Sequence, residues 1–350
     1  MRKISPSLFA LIQILNNLEV HSGESLSEKL GISRNAIWKH IQQLVKYQVP
    51  LKTARGQGYQ LLEPLMLLDQ SKIERILSPE KLPISIHYLE IYGSISSTND
   101  QVRAFKKPQM DQIQCCLAEH QTQGRGRFDR AWVSPFGKNM MLSLRLFLGK
   151  DMSSLGGISL CMSLAILNAL KELGILNIVA QSGGRLGCKW PNDILYFSDP
   201  DSPAQKLAGI LIEAFAEGHG MTELVVGVGL NINMTREISG ESTTQISQAW
   251  TSLQEMTGKI QDRSIIVGVL LKHLRQILNR FMEEGFESIS QEWSRFDLLL
   301  NQSIHLKIGD KVISGIARGV DSSGHLRIED LTGTGNIKTY SAGEASVVRV

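Results

Sequence analysis

Lys189-Trp190-Pro191-Asn192-Asp193 sets a cation, an aromatic ring, a rigid imino acid, an amide and a carboxylate in five consecutive positions. The apolar run Ile194-Leu195-Tyr196 follows, so the lysine reads as the end of a loop entering a strand. A half-buried lysine there is a fixed point charge, although a lone Lys before Trp-Pro is ordinarily a surface residue. Upstream, Gly124-Arg125-Gly126-Arg127 exposes backbone and carries two guanidinium groups. Downstream, Val225-Val226-Gly227-Val228-Gly229-Leu230-Asn231-Ile232-Asn233 is a strand-like run opened by two glycines. Together these stretches point to a pocket that handles a phosphate and brings a flat ligand against backbone.

Working outward, helix and strand alternate without a repeat. Asp69–Leu77 reads as helix and Ser85–Tyr92 as strand. Ser96-Ser97-Thr98-Asn99-Asp100 opens another helix; the hydroxyls there either cap it or converge on a ligand, and by themselves favour the cap. Gln114–Gln121 is a short strand, and Met140–Leu148 is a core strand. Leu155–Leu173 is a long apolar helix laid on a sheet face. Lys206–Phe215 and Thr222–Asn233 pair about Gly218-His219-Gly220. Glycine weakens a strand, so Gly209, Gly227 and Gly229 signal close approach of another backbone or a ligand. The loop Thr122–Arg130 is not a dinucleotide fingerprint, because Asp129 stands where glycine or alanine is needed. Neither Gly137-Lys138 nor Gly258-Lys259 completes a Walker A motif. What remains is a basic loop of Arg125, Arg127 and Arg130, which either moves freely in solvent or closes over an anion.

The first 60 residues carry eight Lys or Arg against three Glu, a formal +5 in a chain whose total is +3, so the rest sums to −2. A basic head on a slightly acidic body points to a polyanionic partner for the head. Ser5-Pro6 starts a helix with Leu8, Leu11, Ile12 and Leu15 inward. Glu24–Leu30 is a second helix, with Leu26 and Leu30 inward, ended by Gly31. Ser33 caps a third, with Ile37, Ile41 and Leu44 inward. Its outer face offers Arg34, Asn35, Trp38, Lys39, Gln42 and Lys46. Leu51–Leu61 is a hairpin with the basic glycine-rich tip Arg55-Gly56-Gln57-Gly58, a wing for flanking backbone. Helices, glycine turn and wing together predict DNA binding through Ser33, Arg34, Asn35, Trp38, Lys39, Gln42 and Arg55.

The chain has 350 residues with 42% hydrophobic and 20% charged content, which is globular and calls for two or three domains. No apolar run is long enough to span a membrane, and the start lacks a secretory pattern, so the expected compartment is the cytoplasm. Cys115, Cys116, Cys161 and Cys188 form no C-x-x-C pair and read as reduced, core-filling thiols. No metal-ligating set is expected. Ser303–Val350 alternates short apolar runs with turn signals, as a small antiparallel barrel does.

The chain resembles the bacterial bifunctional biotin–protein ligases that double as biotin-operon repressors. Ser97-Thr98-Asn99, Gln121 with Gly124–Arg127, Trp132 with Ser134-Pro135-Phe136-Gly137, Lys189–Asp193, Lys206-Leu207-Ala208-Gly209-Ile210-Leu211 and Gly227–Asn231 carry the resemblance. So do Gly31–Ile41, Gly56–Tyr59 and Gly315–Asp321, so it spans essentially the whole chain. The implied fold is multidomain α+β. It comprises a winged helix-turn-helix over 1–64, a class II synthetase-like catalytic domain (mixed sheet with helices) over 65–300, and an SH3-like β-barrel over 301–350.

The resemblance implies an ATP-dependent, two-step reaction. Biotin and ATP, as its Mg²⁺ complex, give biotinoyl-AMP; the biotin then passes to a lysine of the biotin carboxyl carrier protein of acetyl-CoA carboxylase. Lys189 and Arg125 take the catalytic roles. Biotin falls to Ser97, Thr98, Asn99, Gln121, Gly124, Arg125, Gly126, Arg127, Lys189, Gly209 and Gly227. ATP and the adenylate fall to Arg127, Arg130, Trp132, Asn192, Asn231, Trp250 and Arg318. No tightly bound prosthetic group is implied. Biotinoyl-AMP is the implied corepressor, favouring a homodimer that binds operator DNA. Three alternatives stand beside this: a ligand-sensing repressor without enzymatic activity, a ligase whose head no longer represses, and a lipoate-type ligase of similar fold. The loop departs from the family where Phe128 replaces a basic residue and Asp129 a glycine, and Asp129 is expected to pair with Arg127 or Arg130.

Overall fold

The computed structural model describes residues 3–54, 57–77, 82–217, 221–236, 246, 248–331 and 335–348. Arg55 and Gly56 of the wing tip and the turn Gly218-His219-Gly220 lie outside them.

Three capped helices form the head. The Ser5 hydroxyl accepts the Leu8 N–H ahead of α1 (Pro6–Leu15), Ser22 does the same for Ser25 in α2 (Gly23–Leu30), and Ser33 for Ala36 in α3 (Arg34–Lys46). Gly31 ends α2 at φ 63°, a left-handed conformation that costs glycine little. Leu8, Leu11, Ile12, Leu15, Leu26, Ile37, Ile41 and Leu44 are buried together, with Leu30 half-buried beside them. The outer face of α3 is exposed from Arg34 to Lys46 as its periodicity predicts, with Trp38 51% exposed. Strands β1 (Leu51–Ala54) and β2 (Gly58–Leu61) pair antiparallel as the wing.

The central body is a seven-stranded sheet. Its strands are β3 (Ser85–Tyr92), β4 (Gln112–Ala118), β5 (Met140–Leu148), β6 (Arg185–Lys189), β7 (Asp193–Phe197), β8 (Gln205–Glu217) and β9 (Met221–Leu230), in the order β3-β4-β5-β9-β8-β7-β6. Only the β3–β4 pair is parallel, so the sheet is mixed. Helices α4 (Gln70–Leu77), α6 (Ile158–Glu172) and α9 (Arg263–Glu284) cover one face; α5 (Thr98–Arg103) lies on the other. Side chains alternate across a strand, and β9 shows the consequence. Leu224, Val226, Val228 and Leu230 enter the main core, whereas Val225, Gly227 and Gly229 face the α5 side, where two missing side chains leave a hollow.

Several boundaries differ from expectation: β4 runs Gln112–Ala118 instead of Gln114–Gln121, and β9 ends at Leu230 instead of Asn233. The long helix starts at Ile158, because Gly157 turns at φ 77° against the Phe286 ring. Lys189 closes strand β6 rather than a loop, so the Trp190-Pro191-Asn192 stretch is a strand-to-strand turn. α7 (Ile175–Gln181), α8 (Leu253–Thr257) and α10 (Glu287–Ser294) complete the body. β10 (Ser303–Ile308), β11 (Lys311–Val320), β12 (Leu326–Asp330), β13 (Ile337–Tyr340) and β14 (Glu344–Val347) form an antiparallel sheet ordered β13-β12-β11-β10-β14. No single helix among the described residues is long and apolar enough to cross a membrane.

Buried contacts join head, body and tail. Phe136 of the body stacks on Tyr47 of the head at 4.5 Å and shares one apolar cluster with Leu65, Leu67 and the head core. Glu119 and Arg263, both 0% exposed in their side chains, pair at 2.5 Å. Glu119 also accepts the Leu68 N–H, and Arg263 donates to the carbonyls of Met66 and Asn139, so this pair fastens the linker to the body. Trp190 is buried and donates its indole N–H to the Gly324 carbonyl of the tail at 3.0 Å.

Asp297 lies where the chain leaves the body for the tail. Burial pushes its carboxyl up to about 6, against the opposing Leu299 N–H at 2.9 Å. The folded form therefore holds a proton that the unfolded chain releases at the usual 3.8. Stability is full below about pH 4 and is lost as pH rises toward about 6. Asn at 297 is expected to remove that loss and to gain about 2 kcal/mol over wild type at neutral pH. Urea midpoints on both sides of the window check this.

Candidate functional site

A cavity of about 340 Å³ occupies the hollow on the α5 face of the sheet. It begins at the start of α5, where Ser97, Thr98 and Asn99 are almost wholly buried. Ser97 holds the N-cap position, yet its side chain makes no capping bond, so the hydroxyl faces the cavity rather than the helix. The Thr98 hydroxyl and backbone N–H both donate to Gln121 Oε1, at 2.9 and 2.7 Å. The Ser143 hydroxyl lies beneath, 2.7 Å from Thr98 Oγ1 and 2.5 Å from Asn99 Oδ1. Ser143 is 0% exposed, and its place in a strand whose only other polar residue is Arg145 was the one signal that it belonged to the site.

The glycines are needed for side chains. A Cβ on Gly227 would lie 2.6 Å from Asn99 Oδ1. A Cβ on Gly229 would lie 2.4 Å from the Trp132 ring, and one on Gly209 would lie 3.2 Å from it. Gly209 and Gly229 are partners in the β8–β9 register, so together they form a flat shelf under Trp132. The predicted close approach is therefore made by Trp132 and Asn99. The Trp132 indole N–H is buried and has no acceptor among the described residues, a donor that a ligand would satisfy.

Among the described residues the lysine that lines the cavity is Lys206; Lys189 does not. Lys206 Nζ pairs with Asp193 at 2.7 Å and stands 5.8 Å from the Trp132 ring centre. Lys189 faces Asp193 across the β6–β7 pair, and burial lowers its pKa below the usual lysine value. Cys188 beside it is wholly buried and pushed up to about 12, a core residue. The lysine of the Lys-Leu-Ala-Gly run was legible as motif, not as charge, because only the fold sets it beside Asp193 and Trp132.

The arginine loop is a tight hairpin. The Gly126 N–H donates to the Arg130 carbonyl at 2.7 Å and the Trp132 N–H to the Gly124 carbonyl at 2.9 Å. Gly124 supports this turn without lining the cavity. Arg125 lines the cavity but donates to both Asp100 oxygens, at 2.7 and 3.0 Å, and to Glu213 at 3.1 Å. Its charge is matched by two carboxylates, so in this structure it fastens the loop to α5 and β8. Arg127 instead donates to neutral acceptors, Asn192 Oδ1 and the Gly343 carbonyl, both at 3.3 Å, and burial lowers its pKa. Arg130 pairs with Glu344 at 2.7 Å. Asp129 forms no ion pair among the described residues, against expectation; it and Phe128 sit at φ 54° and 55°, where glycine is the unstrained choice.

At the far end, Trp250 pairs with Lys206 as an isolated bridge and lines the cavity with Gln248 and Ile246. Asn231 and Asn192 also line it, but their amides serve the protein. Asn231 donates to the Thr251 carbonyl at 3.0 Å, and Asn192 to the Ile210 carbonyl at 2.8 Å. Arg318 lies elsewhere, held by Glu329 and Asn301 at 2.6 Å each. Glu213, Asp100 and Glu344 were missed, because the residues they grip lie 25 to 214 positions away in sequence.

The Biotin/lipoate A/B protein ligase family matches residues 92–231, an HTH domain family residues 7–60, and the Biotin protein ligase C terminal domain residues 299–348. The bifunctional ligase/repressor BirA of Escherichia coli is 37% identical over 96% of either chain. The biotin–[acetyl-CoA-carboxylase] ligase of Mycobacterium tuberculosis is 27% identical over 69% of this chain and 83% of its own. The structure of the Aquifex aeolicus biotin protein ligase with biotin and ATP superposes with a TM-score of 0.57 at 26% identity, covering 76% of this chain and 100% of that one. Sequence, domain order and fold agree, and the chain belongs to the bifunctional ligase/repressor family.

Proposed function

We propose that the protein is an ATP-dependent biotin–protein ligase that also represses transcription from operator DNA, dividing at 64/65 and 300/301 into head, ligase and tail. One observation carries the ligase reading: a single cavity runs from buried hydroxyls and amides, past a Trp-covered glycine shelf, to Lys206, Arg127 and Trp250. Uncharged donors at one end suit a ureido head group. The shelf suits a flat thioether ring, the cations suit the carboxylate and α-phosphate, and the far tryptophan suits a purine.

In the first step a biotin carboxylate oxygen attacks the α-phosphorus, the bond to the β-phosphate breaks, and pyrophosphate leaves. Two anions must meet, and Lys206, Lys189 coupled to it and Arg127 offset their repulsion and the charge that grows in flight. Mg²⁺ arrives with the ATP phosphates and screens them. In the second step the amine of a carrier lysine attacks the acyl carbon, an amide forms and AMP leaves. The acceptor proposed is the biotin carboxyl carrier protein, the dimer is one favoured by biotinoyl-AMP, and the compartment is the cytoplasm.

Purified protein given biotin and magnesium-ATP is expected to release pyrophosphate and accumulate biotinoyl-AMP, with lipoate inactive; absence of the adenylate refutes the ligase. For the head, Lys39→Ala is expected to weaken binding to the region upstream of the biotin genes and to reduce the salt slope by about 1. An unchanged slope places the phosphate contact elsewhere.

A further inference from the structure

We propose that Glu213 is a positioning residue that makes the arginine loop and the ligand-reading end of the cavity one mechanical unit, an inference that rests on the biotin-adenylating reading above. Glu213 lies on β8, on the α5 side of the sheet, and does not itself line the cavity. One oxygen, Oε2, accepts the Asn99 side-chain N–H at 2.6 Å. The other, Oε1, accepts Arg125 Nη2 at 3.1 Å.

Asn99 has little room, since its Oδ1 lies against the bare backbone of Gly227. Which end of the amide faces which neighbour is set by chemistry: a carboxylate only accepts, so Nδ2 turns to Glu213 and Oδ1 to the Ser143 hydroxyl at 2.5 Å. Arg125 then returns to the start of α5 through Asp100, the residue after Asn99. Asn99, Glu213, Arg125 and Asp100 thus close a ring between β8, the helix start and the loop, and Ser143 ties that ring to β5. Arg125 holds Asp100 below the usual carboxylate range, and both carboxylates hold Arg125 above its own. If the loop opens, Glu213 loses Arg125, and the carboxylate orienting Asn99 is freed to move.

Glutamine at 213 has one acceptor oxygen where glutamate has two. Whichever way it turns, an N–H meets either Asn99 Nδ2 or Arg125. Glu213→Gln is expected to raise the KM and Kd for biotin about tenfold while kcat stays within about twofold. Tryptic cleavage after Arg125 and Arg127 in the unliganded protein, read by mass spectrometry, is expected to quicken about fivefold. Asp100→Asn loosens the ring at its other end, so it is expected to quicken cleavage comparably and to change KM less than about threefold. The proposal is overturned if Glu213→Gln leaves cleavage and Kd within about twofold of wild type, or lowers kcat with KM unchanged. It is equally overturned if a misfolded Glu213→Gln is accompanied by unchanged cleavage in Asp100→Asn. Wild-type protein that binds no biotin refutes the ligase reading instead, and the cleavage rates still decide whether the ring holds the loop.

Discussion

Lys206→Ala lowers the rate of biotinoyl-AMP formation by about 10² to 10³, as loss of a preorganised charge beside a reacting phosphate does. Lys189→Ala is the comparison, because Lys189 is a half-buried cation whose charge couples to Asp193, Lys206, Glu344 and Arg130 at the cavity's edge. Pyrophosphate release at saturating biotin and magnesium-ATP measures both. Removing Lys206 also leaves Asp193 without its 2.7 Å partner. The double variant Lys206→Ala, Asp193→Asn separates the two causes: activity that stays low assigns the loss to the missing cation, and recovery assigns it to the orphaned carboxylate. A larger loss at Lys189 than at Lys206 would reverse the assignment.

The second large effect is on stability. Glu119→Ala leaves Arg263 charged and wholly buried, with only carbonyls around it. Breaking one partner of such a pair costs about 3 to 5 kcal/mol. Glu119→Gln keeps an acceptor for the Leu68 N–H and is expected to lose less. Urea unfolding with two probes, one for the head and one for the body, measures the loss and shows whether both go together. A loss under about 1 kcal/mol would mean that water reaches Arg263 in the variant.

Local pattern made some elements legible. α3 follows from Ser33 and the spacing of Ile37, Ile41 and Leu44, since cap and apolar face lie within one short segment. β3 and β5 match their predicted ends because their apolar runs end abruptly. The cavity was legible in outline: Ser97, Thr98, Asn99, Gln121, Arg127, Trp132 and Trp250 do converge. What local pattern does not carry is where a charge goes. In the pentapeptide, Trp190 anchors the tail and Lys189 lies half-buried among Asp193, Lys206, Glu344 and Arg130, neighbours that no local pattern names. Lys206 begins an ordinary strand and gains its neighbours from pairing with chain segments before and after it. The Arg125–Glu213 pair is not legible locally because its members lie 88 positions apart.

The stack of Phe136 on Tyr47 bears on any attempt to prepare the catalytic part alone. Trimming the polypeptide before residue 65 strips the cover from Leu65, Leu67 and Phe136, now 2%, 6% and 3% exposed. Each newly wetted side chain forfeits about 1.5 to 3 kcal/mol of burial, and the bared patch invites self-association. Polar replacements at those three positions are the natural companion of such a truncation.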